Sequence, residues 1–215
     1  MVTGMEKPYV VGMDIGGTNT VFGIVDSRGN VLATDSVKTQ SFAKIEDYVE
    51  AVSSKLRPLI ESFGGVEKIK GMGVGAPNGN YYNGTIEFAP NLPWKGVIPL
   101  AALFEEAIGV PTALTNDANA AAYGEYIATG VDASCFIFIT LGTGVGGGVI
   151  LDGKIFRGSN YAGAELGHIT TMFGGEPCTC GRYGCWEAYA SVTALISQTK
   201  KAMSDNPKSL MHKFA

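Results

Sequence analysis

The sequence predicts a two-lobed α/β protein, and three observations carry that prediction. First, Met13–Asp26 (M-D-I-G-G-T-N-T-V-F-G-I-V-D) and Ile139–Asp152 (I-T-L-G-T-G-V-G-G-G-V-I-L-D) align without a gap. Each is an apolar strand, a Gly/Thr turn, a second apolar strand and an Asp, and an internal repeat of this kind constrains architecture before any finer reading. Second, short apolar runs alternate with helical spacing after the first copy, in the order β-β-β-α-β-α-β-α. Third, the 215 residues are 46% hydrophobic, enough to build the core of one large domain or two small ones.

The elements follow in order. Tyr9–Asp14, Thr20–Asp26 and Val31–Lys38 read as strands, with Ser27–Asn30 (S-R-G-N) as the turn between the last two. Ile45–Phe63 has helical periodicity that stops at Gly64-Gly65, and Pro58 is expected to kink or split it. Ile69–Gly75 reads as a buried strand. Asn78–Pro93, rich in Asn, Gly, Pro and Tyr, reads as a substrate-facing loop or short hairpin. Leu100–Ile108 is a helix closed by Gly109, Val110–Thr115 a strand, and Asp117–Ile127 an alanine-rich helix with Asp117 at its N-cap position. The second copy supplies strands at Ser134–Leu141, Gly147–Leu151 and Lys154–Phe156. An irregular Gly- and Cys-rich segment, Tyr161–Glu187, follows, then one helix, Ala188–Met203. The expected lobes are residues 1–127 and 128–215, the second without the sequence for its fourth and fifth strands.

A formal charge of −4 and the lack of a Lys/Arg cluster argue against a nucleic-acid or anionic-membrane surface. Met1–Tyr9 has no hydrophobic signal core and Cys135–Leu141, the longest apolar run, is too short to span a bilayer, so a cytoplasmic protein is expected. Cys135, in an apolar strand, reads as inert core.

Glycine lets backbone N–H groups approach an anion closely. Gly16, Gly17, Thr18 and Asn19 in the first turn and Gly142, Thr143 and Gly144 in the second are therefore candidate phosphate contacts, and two such turns facing each other would clamp a phosphate chain. One copy alone would be an ordinary hairpin; the aligned second copy favours phosphate. Asp14 ends its strand at the first turn, and a carboxylate beside phosphate implies Mg²⁺. Gly142, Gly144 and Gly147 also satisfy G-x-G-x-x-G, but a strand rather than a helix follows, which excludes a dinucleotide fingerprint. His168, Cys178, Cys180 and Cys185 form a closed tetrahedral Zn²⁺ set, structural rather than Lewis-acidic because no ligand position is left for water. Asp117 reads equally well as a helix cap or a general base.

Four motifs occur in order: D-I-G-G-T-N at Asp14–Asn19, L-G-T-G-V-G at Leu141–Gly146, E-L-G-H at Glu165–His168, and C-T-C-G-R-Y-G-C-W-E at Cys178–Glu187. Together they resemble the ROK family (repressor, open reading frame, kinase) from Val10 to about Leu195. A-P-N-L-P-W at Ala89–Trp94 and T-N-D-A-N at Thr115–Asn119 are most similar to its bacterial glucokinases. The resemblance implies a duplicated actin-like/ribonuclease-H-like fold, complete in the first lobe and incomplete in the second, because kinase members run roughly half as long again. It implies ATP-dependent phosphorylation of a hexose, glucose first, at the 6-hydroxyl. Asp117 would be the general base, Asp14 would hold Mg²⁺ through water, and Asn116, Glu165, His168 and Glu187 would bind the sugar, with Gly75 and Asn91 as further contacts. One nitrogen of His168 would bind zinc and the other would reach the sugar. A homodimer is expected. The alternatives are a fragment that binds sugar and zinc without turnover, a kinase for fructose, mannose or an N-acetylhexosamine, and a repressor. The repressor ranks low because only about nine residues precede the first strand, too few for a helix-turn-helix.

Overall fold

The computed structural model describes residues 6–159 and 163–214. Residues 1–5, and Tyr161 and Ala162 at the start of the expected irregular segment, lie outside the described residues. The chain divides into two compact units, Met1–Ala121 and Ala122–Ala215.

The first unit is a mixed α/β layer structure. β1 (Tyr9–Ile15), β2 (Asn19–Asp26) and β3 (Val31–Lys38) form an antiparallel meander. Its S-R-G-N turn closes because Asp26 Oδ1 accepts from the N–H groups of Arg28 (2.8 Å) and Asn30 (2.9 Å) while Gly29 takes φ 85°. After α1 (Ile45–Ser62), β4 (Ile69–Ala76) pairs parallel with β1. β5 (Gly79–Asn80), β6 (Thr85–Glu87) and β7 (Val97–Ile98) make a small separate sheet. α2 (Leu100–Ile108) ends at Gly109, whose φ of 80° is the left-handed cap a glycine permits. β8 (Thr112–Asn116) pairs parallel with β4, giving the sheet order β3-β2-β1-β4-β8, and α3 (Asp117–Thr129) follows. Alternate residues of β1 (Val11, Met13, Ile15) enter a core with Phe22, Ile24, Val74 and Leu114. The stripe Tyr48, Val49, Val52, Leu56 and Ile60 seals α1 to that core.

In the second unit β9 (Cys135–Leu141), β10 (Val145–Leu151) and β11 (Lys154–Ile155) form an antiparallel sheet in the order β11-β10-β9. A loop carrying the cysteines leads to α4 (Glu187–Ala190) and α5 (Val192–Asp205).

Several expectations need correction. Pro58 does not split α1, which runs unbroken over 18 residues. A mid-helix proline costs about 3 kcal/mol, less than the buried apolar stripe returns. The helix expected at Ala188–Met203 is two helices, because Ser191 is extended and caps α5, its Oγ accepting from Ala194 N at 3.1 Å. Cys135 is exposed, not core, because β9 has a strand neighbour on only one side among the described residues. The gapless repeat is not a register-identical one: Ile15 pairs with Thr20, leaving Gly16–Asn19 in the first turn, whereas Leu141 pairs with Val145, leaving Gly142–Gly144 in the second.

Candidate functional site

In the first unit the candidates gather at the carboxyl ends of three parallel neighbours, where open α/β sheets bind ligands. Asp14, Gly75 and Thr115 occupy one register row across β1, β4 and β8. Asn116 ends β8 and Asp117 opens α3. Asn116 is the helix cap: its Oδ1 accepts from Asn119 N at 3.1 Å. Asp117 is therefore not the N-cap. It lies inside the first turn, with Oδ1 accepting from Ala118 N at 2.8 Å. A Cβ on Gly75 would stand 3.4 Å from both Asp117 Cα and Ala120 Cβ, so the glycine lets α3 start close against the sheet. Asp14 stays open to solvent. The desolvation it does undergo, and after that the Asp117 charge, still raise its carboxyl above the usual range. Two carboxylates that repel one another beside a glycine turn fit a divalent cation.

The first turn is braced from below. Gly16 N donates to Asn19 O (2.9 Å). The N–H groups of Gly17 and Thr18 have no backbone partner among the described residues. Thr39 Oγ1 donates to Gly16 O (2.8 Å) and pairs with buried Thr20 Oγ1 (3.0 Å), which pairs with Tyr48 OH (2.9 Å). Burial holds the Tyr48 phenol protonated well above its usual range. Gln40 Nε2 bridges Gly17 O and Asn91 O, and the Asn91 backbone closes over Gly17. Asn91 thus packs on the turn, and Trp94 is loop packing, its Nε1 donating to Phe42 O at 3.1 Å. Sequence reading missed Thr20, Thr39, Gln40 and Tyr48. Thr39 and Gln40 reach the turn from a distant stretch of chain and Thr20 and Tyr48 back Thr39 from the core, contacts that leave no local signal.

In the second unit His168, Cys178, Cys180 and Cys185 converge, their ligand atoms all within 4.8 Å of one another. Cys178 Sγ lies 3.6 Å from His168 Nδ1 and Cys180 Sγ lies 3.7 Å from Cys185 Sγ. Tetrahedral zinc with Zn–S of about 2.3 Å sets ligands roughly 3.7 Å apart, so the donor set and spacing fit that ion. The Arg182 backbone N–H, seconded by its guanidinium, brings the exposed Cys180 thiol down to about 6. Burial pushes the Cys185 thiol up to about 11. Arg182 Nη2 also holds His168 O at 2.8 Å. Arg182 sits within the cysteine motif and could have been singled out there as the charge beside the thiolates. Glu165, exposed, precedes the 3-10 turn that carries His168, and His168 N donates to Glu165 O at 3.1 Å.

Glu187 is tied into the second glycine turn: Oε2 accepts from Val145 N at 2.9 Å, and Oε1 lies 3.4 Å from Thr179 Oγ1. Gly142 N donates to Gly144 O (3.0 Å), Val192 N to Gly142 O (2.8 Å) and Thr193 Oγ1 to Thr143 O (2.8 Å).

A mixed α/β protein with a glycine turn and carboxylates at one sheet edge and a Cys/His cluster is the class these features define. The chain belongs to the ROK family, whose model matches residues 10–214. It is 40% identical to a glucokinase of Streptomyces coelicolor over 200 residues, 92% of this chain and 61% of that protein. A ROK family glucokinase from Streptomyces griseus, solved in complex with glucose and AMPPNP, superposes with a TM-score of 0.75 at 38% identity, over 93% of this chain and 62% of that one. A xylose repressor of Caldicellulosiruptor bescii is 39% identical over 135 residues, 62% of this chain and 34% of that protein. The chain thus spans about three-fifths of the length of the Streptomyces glucokinase it matches. Among the described residues no helix is long and apolar enough to cross a membrane.

Proposed function

We propose that this chain belongs to an ATP-dependent hexose kinase, with glucose as the favoured acceptor. The observation that carries the reading is the row Asp14–Gly75–Thr115 with Asn116 and Asp117 beyond it, at the sheet edge that also bears the Gly16–Asn19 turn. The 40% identity to a glucokinase supports the choice of sugar.

In this reading the fold is the duplicated actin-like one, and each hairpin offers amides to phosphate oxygens. In the first, Gly17 and Thr18 supply N–H groups that have no backbone partner among the described residues. Asp14 would hold Mg²⁺, which would supply positive charge against the phosphates. Asp117 accepts the proton of the sugar 6-hydroxyl as that oxygen attacks the γ-phosphorus in line and ADP leaves. Because Asn116 rather than Asp117 caps α3, the base keeps a carboxylate oxygen for this task. Asn116 Oδ1 is engaged in the cap, so its Nδ2 donates to a sugar oxygen. Glu165, Glu187 and His168 Nε2 supply the remaining sugar contacts, and Gly75 and Asn91 shape their surroundings. His168 and the Cys178, Cys180 and Cys185 thiolates would hold Zn²⁺, which would stiffen a loop with little apolar core of its own.

A panel of glucose, mannose, fructose, N-acetylmannosamine and N-acetylglucosamine with MgATP, read as sugar-dependent ADP release alongside bound-metal analysis, tests this. The reading expects glucose to lead and about one zinc per chain; ADP release that no sugar stimulates contradicts it. The similarity to a xylose repressor favours a second reading, a sugar-sensing regulator. Sugar-responsive DNA binding would select it, whereas sugar binding without turnover or DNA binding would select a fragment that binds without catalysis.

A further inference from the structure

Within the second unit, one carboxylate touches both the glycine turn and the cysteine loop. Glu187 lies two residues after Cys185, so one ligand-bearing segment carries its backbone. The other such segment, Cys178-Thr179, meets its side chain, with Thr179 Oγ1 at 3.4 Å and Cys178 Sγ at 3.9 Å from Oε1. The remaining oxygen, Oε2, accepts the Val145 N–H at the foot of the turn, at 2.9 Å. A Cβ on Gly144 would collide with that same oxygen. The glycine at 144 thus leaves room for the carboxylate's approach, and a larger residue there would push the Glu187 carboxylate aside. The cysteine loop is otherwise held by backbone bonds such as Cys178 N to Arg182 O (2.8 Å) and Trp186 N to Ile169 O (2.9 Å), by the isolated bridges Thr170–Cys185 and Pro177–Tyr183, and by Glu176 N donating to Tyr189 OH (2.7 Å), with no buried apolar cluster of its own among the described residues. Short irregular loops of this kind open readily.

We propose that Glu187 is a positioning residue that transmits metal occupancy of the His168/Cys178/Cys180/Cys185 cluster to the Gly142–Gly144 turn. An ion fixes Cys178 and Cys185 together; the Cys178 thiol then gives up its proton, so the adjoining Thr179 hydroxyl holds Oε1 while the Cys185 segment holds the Glu187 backbone, and Oε2 stays on Val145 N–H. Without the ion the two segments move independently and the turn loses its brace. The inference rests on the metal reading above and needs no assumption about the sugar.

The test is residue-resolved amide exchange on the whole chain, chelated and then loaded with Zn²⁺, with bound metal measured in each sample. Zinc should slow exchange at Val145 and across the turn about tenfold, the scale of one charge-assisted hydrogen bond. In Glu187→Ala, zinc should still bind at one per chain while that response falls below about twofold. Glu187→Gln keeps an acceptor oxygen and should restore most of it. Zinc bound without any response at the turn, or an equal response in Glu187→Ala, overturns the coupling alone. Absence of bound zinc overturns the metal reading and the coupling with it.

Discussion

The two glycine hairpins share a sequence pattern and differ in what holds them. Beneath the first, β1 lies between β2 and β4, and its apolar face is core: Ile15 is 0% exposed. Its turn is fastened to a buried chain of three hydroxyls, Thr39, Thr20 and Tyr48. The second hairpin has a strand neighbour beside β10 but none beside β9 among the described residues. β9 shows Ile137, Ile139 and Leu141 to solvent, and its turn is fastened by Glu187, Thr193 and the start of α5. The comparison teaches that a motif specifies a turn's shape, while its rigidity comes from partners far away in sequence. The first turn inherits the stability of a hydrophobic core. The second depends on polar straps and the cysteine loop.

Removing metal should separate the two most strongly. A structural zinc contributes on the order of 10 kcal/mol of apparent binding free energy in small domains. Chelation should therefore lower the unfolding midpoint of the second unit and leave amide protection around Gly16–Thr20 unchanged. Loss of protection in both hairpins alike would break the distinction. Acid should imitate the chelator, because Cys180 is largely thiolate only above about 6 and Cys185 must surrender its proton to the ion. Bound metal measured along a descending pH series should fall away through and below that value.

Tyr48→Phe probes the first hairpin. It leaves the buried Thr20 hydroxyl one partner short, which should cost about 1–2 kcal/mol in urea unfolding. It should also loosen the first turn without touching the second. Thr193→Val is its counterpart. That strap is exposed, so its loss should cost under about 1 kcal/mol and be visible only as faster exchange around Thr143. Asp14→Asn sharpens the electrostatic side. The folded chain holds the Asp14 proton more tightly than the unfolded chain. Stability from that site is thus complete below the unfolded value and is lost as pH rises through the raised one. Asparagine cannot ionise, so the variant should melt slightly higher than the parent at neutral pH and no higher in acid. Mg²⁺ should raise the parent and not the variant.

Much of this was legible in the sequence because it is local. The glycine turns, the succession of the longer strands and helices in the first unit and the His/Cys spacing all sit within short windows. The rest is decided at a distance. Asn116 and Asp117 are both good caps, and only the backbone trajectory out of β8 shows which one is used. Pro58 breaks an isolated helix, yet the buried stripe of α1 overrides it. Cys135 reads as core from its neighbours, but burial depends on what covers β9. Tyr48 and Glu187 reach the turns across 28 residues, from Tyr48 to Thr20, and 42 residues, from Glu187 to Val145. A motif scan finds a turn and cannot find its brace.

The central claim concerns Asp117, freed from capping and set beside Asp14 at the sheet edge. Glucose-dependent ADP formation by the parent and by Asp117→Asn, with glucose affinity measured in parallel by calorimetry, tests it most directly. The account predicts that the variant binds glucose within a few-fold of the parent and loses roughly 10²–10⁴ in kcat, the range for a positioned general base. Near-parental turnover by Asp117→Asn would contradict it.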